Sequence, residues 1–267
     1  MSQPQRMIIT GVSPYVQGHF VNEHGNKVWE GCGPVAALML MSYYDKCLGY
    51  KKLIPTGDEG VATPPDDLIQ DLRNRMMTIT VPGSDQGLTD PTTFKSGLKG
   101  YVKDCGYDVD MDSYGSSDIG VSEDEVFDKS VSLIQGHHVH VLLLDWNASS
   151  AFPSHYVAVV GYNTHLTKRL IVCNGFGDPL QSVDLGDKSI KPVRAIWMTI
   201  SSSADGPKDG HEIGPACTYS WKTVSRQQRL VPTVLEPPGT SGSTTWDPAD
   251  STTMLAGSTC SINSWNS

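Results

Sequence analysis

The chain has 267 residues, 38% of them hydrophobic, which is enough for a substantial core and too much for a chain disordered throughout. Twenty basic side chains against 29 acidic ones give a net charge of -9, and no basic patch stands out, which argues against nucleic acid or an anionic membrane as the main partner. No apolar run approaches the roughly 18 residues of a membrane span, so no membrane insertion is expected.

Met1-Ser-Gln-Pro-Gln-Arg6 lacks the apolar centre of a secretory signal, but a signal removed beforehand would leave the same start, so secreted and cytoplasmic locations both stay open. Gly31-Cys-Gly-Pro34 and the apolar run to Met41 predict a first helix. Proline fits its first turn, where an N–H would be unpaired anyway, so Pro34 marks the start and Cys32 sits just outside. The segment is apolar almost all round, as in a helix buried within a core, and ends near Cys47 and Gly49. Thr63-Pro-Pro-Asp66 reads as a capped start, after which Leu68, Ile69, Leu72 and Met76 share one face. Asp90-Pro91 opens a third helix, with Phe94, Leu98, Tyr101 and Cys105 on its stripe and Gly106 as its stop. Ser122, followed by three acidic residues that complement the helix dipole, opens a fourth, closed by Gly136. Nine of the acidic residues fall between Asp104 and Asp128, with no Lys or Arg among them, and read as a solvated face.

The second half changes period. Val139 to Leu144, His155 to Tyr162, Arg169 to Asn174 and Arg194 to Ile200 are short runs rich in Val, Ile and Leu, and read as strands. Helices followed by strands imply an α+β fold, N-terminal helices against a C-terminal antiparallel β-sheet. From Ser201 the composition shifts to Ser, Thr, Gly and Pro. Thr218 to Val224 and Arg229 to Leu235 are strand candidates, and Glu236 to Ser243 resembles a linker.

The six cysteines are Cys32, Cys47, Cys105, Cys173, Cys217 and Cys260, with no CxxC pair, so neither zinc nor a redox dithiol is expected. Cys217 and Cys260 can pair in an oxidising compartment. Asp108-Val-Asp-Met-Asp112 has the start of a calcium loop, but Ser113 and Ile119 stand where the EF-hand needs Gly and Glu. His137, His138 and His140 cluster near a turn where exposure is expected, without a carboxylate or distant third ligand. Asn147-Ala-Ser149 is a glycosylation sequon by pattern alone.

A lone cysteine before an apolar helix is as a rule a buried structural thiol. The helix N-terminus nevertheless favours anions and can lower a thiol pKa, above all beside a histidine. His155 begins an apolar strand, where it can project over the sheet edge toward a facing helix terminus. Asn174, nineteen residues on, falls on the next strand and can accept the Nδ1 proton, leaving Nε2 for sulfur. Asp178 is the alternative third member. An ordinary turn asparagine before Gly175 is the bland reading of Asn174.

Three segments carry a resemblance. Gly31 to Asp45 resembles the nucleophile helix of papain-like cysteine peptidases, closest to the bacteriocin-processing peptidase group of bacteria, and His155 to Tyr162 resembles its histidine strand. Asn174-Gly-Phe176 is similar to the papain-like asparagine followed two residues later by an aromatic that shields the histidine. The order Cys, His, Asn is also the superfamily's. The resemblance implies a papain-like fold with a buried nucleophile helix and a peptidase domain over residues 1–200, leaving 201–267 as an extension of unknown role. It also implies an upstream glutamine as oxyanion donor, often about six residues before the cysteine. Here that spacing falls on Asn26, whereas Gln17 has the right residue type with an apparent insertion after it. Gln17 is preferred and Asn26 remains open. The triplet Asn263-Ser-Trp265 lies 108 residues after His155 and reads as coincidence.

The expected function is hydrolysis of peptide bonds in a peptide or protein substrate through Cys32, His155, Asn174 and Gln17, with no cofactor. Acyl transfer or deamidation by the same residues, and a non-catalytic binding or assembly module, are the alternatives.

Overall fold

A computed structural model describes residues 5–22, 24–54, 65–81, 85–115, 118, 120–146, 154–165, 167–177, 180–185, 190–201 and 218–219. The elements run β1 (Arg6–Ile9), β2 (His19–Val21), β3 (Lys27–Trp29), α1 (Cys32–Leu48), α2 (Asp66–Arg75), β4 (Ile79–Thr80), β5 (Gly87–Leu88), α3 (Pro91–Asp104), β6 (Asp108–Gly115), α4 (Glu123–Gln135), β7 (His140–Trp146), β8 (Ser154–Asn163), β9 (Arg169–Cys173), β10 (Gln181–Asp184), β11 (Ile190–Ser201) and β12 (Thr218–Tyr219). Among the described residues no helix is long and apolar enough to cross a membrane.

The helices form where the sequence signals them. Every residue of α1 from Gly33 to Asp45 is buried, and Gly49 closes the helix in the left-handed conformation. Cys32 is its first residue rather than lying outside it, because the turn into the helix is made by Gly31 at φ 96°. Pro34 therefore stands third in the helix, within its first turn and just ahead of Val35, the first residue whose N–H the helix uses. Pro65 precedes α2 without a side-chain cap, and the expected capping residue Thr63 lies outside the described residues. Asp90 caps α3 by accepting from the Thr92 amide, and Ser122 and Glu125 form a reciprocal capping box on α4.

The main sheet is antiparallel in the order β10-β9-β8-β7-β11-β6, with β1 on β8 and β12 on β1. Two of its strands replace other expectations. The acidic stretch around Asp108 is not simply a solvated face: Asp108, Asp110 and Asp112 point outward from β6 while Val109 is buried, and the alternation is that of an edge strand lying on β11. β1 pairs with β8 where Gly161 lies at a bulge, and a Cβ at Gly161 would stand 2.4 Å from the Met7 carbonyl oxygen. Of the candidate strands in the extension, Thr218–Tyr219 forms β12. The other candidates, Glu236 to Ser243, and Asn263 to Trp265 lie outside the described residues.

α1 packs against β8 at the centre of the core, and α2 packs against α3. Cys32, Cys105 and Cys173 are free thiols, whereas Cys47 is disulfide-bonded. Cys217 and Cys260, whose pairing the sequence allowed, lie outside the described residues.

Candidate active site

Gly31 sets the approach to Cys32. A Cβ at Gly31 would lie 2.9 Å from Thr78 Cγ2, and the positive φ is itself a glycine conformation. Cys32 is half-buried at the mouth of α1. The amides of Tyr156, Cys32 and Gly33 act on its sulfur and favour the thiolate, but burial outweighs them and pushes the thiol pKa up. The lowered pKa expected from the helix terminus is not met, because desolvation of the anion exceeds the stabilisation from three amides. The Tyr156 contact ties the sulfur to β8 one residue after His155.

His155 is 8% exposed, and burial drives its pKa down to about 4 against the opposing Asn174 hydrogen bond. Its Nε2 donates to the Asn174 carbonyl oxygen at 2.7 Å. The expected bond from Nδ1 to the Asn174 side chain is thus replaced by one from Nε2 to its backbone, and Nδ1 is left as the basic nitrogen. The Asn174 side chain is occupied in its own turn: Nδ2 donates to Gln181 Oε1 at 2.8 Å, and Oδ1 accepts from the Phe176 amide at 2.8 Å. That turn sets Phe176 on the imidazole, ring centroids 4.6 Å apart and planes 14° from parallel. Asp178, the alternative third member, lies outside the described residues.

Gln17 and Asn26 separate clearly. The Gln17 amide donates to the Gly175 carbonyl at 2.7 Å, which docks it beside the Asn174 turn, and its Oε1 is buried with no hydrogen-bond partner. Asn26 is exposed at the far tip of the β2–β3 hairpin, its amide bonded to Asn22 Oδ1. The apparent insertion between Gln17 and Cys32 is this hairpin. Its ends close on each other: the Gly18 amide donates to Glu30 Oε2 at 2.7 Å, and the Glu30 amide donates to the Gly18 carbonyl at 3.1 Å. Gln17 thereby comes next to the strand that leads into Cys32.

Two charged residues of this frame escaped sequence reasoning. Arg73 of α2 and Glu30 are both buried, and Arg73 donates to the carbonyls of Trp29, at 2.8 Å, and of Glu30. Burial lowers the Arg73 pKa to about 10 and raises that of Glu30. The signal for Arg73 is its position four residues after Ile69, on the edge of the apolar stripe. Arg73→Leu leaves two carbonyls short of a donor and Glu30 without its neighbouring charge. A loss of about 3 kcal/mol is expected, measured as a lower urea midpoint at unchanged slope.

His140 is fully buried rather than exposed, with its pKa lowered to about 3, because it faces inward at the start of β7. Among the described residues no group of three His, Cys, Asp or Glu side chains can hold a metal ion.

No curated protein matches the chain. Among solved structures, active wild-type interpain A cysteine protease of Prevotella intermedia matches with a TM-score of 0.49 and 12% identity, over 72% of this chain and 94% of that one. A mutant fragment of prointerpain A from the same organism matches with a TM-score of 0.46 and 12% identity, over 76% and 74%. The model of the Peptidase_C39 like family matches residues 9–204, most of the chain, and the chain belongs to that family.

Proposed function

We propose that the chain is a papain-like cysteine peptidase in which Cys32 is the nucleophile and His155 its base. The observation that carries this reading is the meeting of the α1 mouth with the start of β8, where Cys32 sulfur contacts the Tyr156 amide while the neighbouring His155 is fixed by Asn174 and Phe176. With Nε2–H committed to the Asn174 carbonyl, Nδ1 takes the thiol proton as sulfur attacks the peptide carbonyl. A raised Cys32 pKa and a lowered His155 pKa make the resting pair neutral, so proton transfer accompanies attack. The Cys32 amide and the Gln17 side-chain amide hold the tetrahedral oxyanion. The imidazolium then returns its proton to the leaving amine, and water delivered by the same base cleaves the thioester. Asn174 is a positioning residue acting through its backbone carbonyl, with its side chain and Gln181 holding the turn.

Incubation with a pool of peptides in 18O-labelled water distinguishes the chemistries. Hydrolysis gives shorter peptides with 18O in each new carboxylate, and none with Cys32→Ala. Joined peptides would mean acyl transfer, and a mass change without cleavage would mean deamidation. Either of these alone, or no product from any pool, would overturn the peptidase reading.

A further inference from the structure

Four strands carry a row of facing residues towards Cys32. Arg194 of β11 stands opposite Gly115 of β6 on one side and Leu143 of β7 on the other, and Leu143 stands opposite Tyr156 of β8. Facing residues of an antiparallel sheet share a face, so Arg194 and Tyr156 project from the same side. Neighbouring strands are ~4.8 Å apart, which sets Arg194 about 10 Å along the row from Tyr156, whose amide acts on the Cys32 sulfur. The Tyr156 hydroxyl senses both ends: burial and the charges of Cys32 and Asp90 raise its pKa, and the charge of Arg194 lowers it. Asp90 itself is engaged in capping α3 through the Thr92 amide.

Positive charge gathers at the Arg194 end. Ser113 of β6 accepts at its Oγ from Lys95 Nζ of α3 at 3.0 Å and from Arg194 at 3.2 Å. Arg194 also pairs with Asp118 at 3.0 Å, and the other oxygen of Asp118 accepts from the Gly115 amide. A Cβ at Gly115 would stand 3.0 Å from the guanidinium, so glycine lets Arg194 lie this close to β6. Lys95 uses its hydrogen bond on a neutral hydroxyl, and among the described residues no carboxylate forms an ion pair with it. Two cations thus share one carboxylate and one hydroxyl, which leaves a positive charge in excess. Lys95 and Ser113 are half-buried, where a charge acts more strongly than on open surface. Phe94, next to Lys95 on α3, stacks on Tyr156 with ring centroids 5.1 Å apart and so ties this cluster to the strand beside Cys32.

We propose that Lys95 and Arg194 bind an acidic side chain of the peptide substrate and so select what Cys32 cleaves, an inference that rests on the peptidase reading. A carboxylate between the two cations takes a charge-assisted hydrogen bond from each. It does so beside or in place of Asp118, whose side chain is 43% exposed and whose ion pair is of the weak surface kind. An extended peptide rises about 3.3 Å per residue, so a row of ~10 Å puts the selected residue about three or four positions from the cleaved bond.

The full chain is incubated with a peptide pool in 18O-labelled water, and the cleaved peptides are aligned on the labelled carboxylate. Asp or Glu should be enriched at one position within about four residues of the cut. For a matched pair with Glu or Gln at that position, kcat/KM should favour Glu by at least about 10-fold. Lys95→Met should remove most of that ratio, and Lys95→Glu should turn the preference towards a peptide with Lys there. Lys99→Met, one turn further along α3 and paired with Asp110 at 3.6 Å, should leave the ratio as it was. The ratio is internal to each preparation, so a variant that folds only in part still reports it. Equal cleavage of the Glu and Gln peptides by the unaltered chain, a Glu preference that survives Lys95→Glu, or an equal loss with Lys99→Met would overturn the subsite and leave the peptidase reading standing. Cleavage of no peptide would overturn both.

Discussion

Cys32→Ala should lower kcat/KM for peptide hydrolysis by at least about 10^3-fold while leaving the melting temperature nearly unchanged. Cys32→Ala removes a single atom from a half-buried residue at a helix mouth, so it opens little cavity, but the alanine methyl cannot form the thioester. His155→Ala should cost a similar factor, and the double variant no more than either single, because a nucleophile and its base act as a unit. Gln17→Ala should lose about 10^2-fold, the effect of one oxyanion donor, while Asn26→Ala at the exposed hairpin tip should change nothing. With the His155 pKa lowered to about 4, its neutral form is available throughout the mildly acidic range, so the acid limb of kcat/KM should lie well below that of an ordinary imidazole. Loss of rate with Asn26→Ala but not with Gln17→Ala would refute the assignment of the oxyanion donor.

The second large effect is acid sensitivity of the fold itself. His140 and His155 are both buried, with pKa values lowered to about 3 and about 4 from an ordinary 6.5. Burial is the main cause in each. The Asn174 hydrogen bond opposes it at His155, while at His140 a bond with the His138 backbone opposes it and the charges of His138 and Lys129 reinforce it. A lowered folded-state pKa means that the unfolded chain binds more protons between the two values, so the stability these groups contribute is present above about pH 6.5 and is lost as pH falls towards 4 and 3. At 1.36 kcal/mol per pH unit, a fall from 6.5 to about 3 for His140 and about 4 for His155 corresponds to contributions on the order of 5 and 3 kcal/mol, comparable with the whole stability of an ordinary domain. Urea unfolding should therefore show stability falling by about 2 kcal/mol or more between pH 6.5 and 5. His140→Gln, which removes one titrating group, should flatten that slope. A stability independent of pH over this range would show that the two histidines are not held neutral by the fold.

Much of this site could be read from residue types and their order. α3 and α4 carried side-chain caps and a glycine at or just past their ends, α1 ended at Gly49 and α2 carried an apolar stripe, all local signals, so the four formed close to where the sequence placed them. His155 and Asn174 were legible because adjacent antiparallel strands bring together residues whose separation is set by a short connection. What stayed hidden depended on contacts across the chain. The N-terminal strand has little pattern of its own and forms because Gly161 opens a place beside β8. Alternating Asp and apolar residues from Asp108 read as charge, when their period of two was the strand signal. Counting residues back from Cys32 pointed to Asn26, since a one-dimensional spacing cannot register a hairpin whose ends return to the same place. The direction in which the Cys32 pKa moves was also misread, because burial is a property of the folded environment and outweighs the helix terminus.

The closure of the β2–β3 hairpin by Gly18 and Glu30 separates two kinds of freedom in this chain. Since those two residues hold the base, and Arg73 and Asp85 hold Trp29, the tip beyond β2 and β3 can lengthen or shorten without moving Gln17 from its bond to the Gly175 carbonyl. Longer loops raise the entropy of closure only slowly, so such changes are energetically mild. The hairpin is thus a modular insertion point: a place where descendants of one ancestor can diverge in length, and where an engineer can graft an epitope or reporter while keeping the chemistry next door intact.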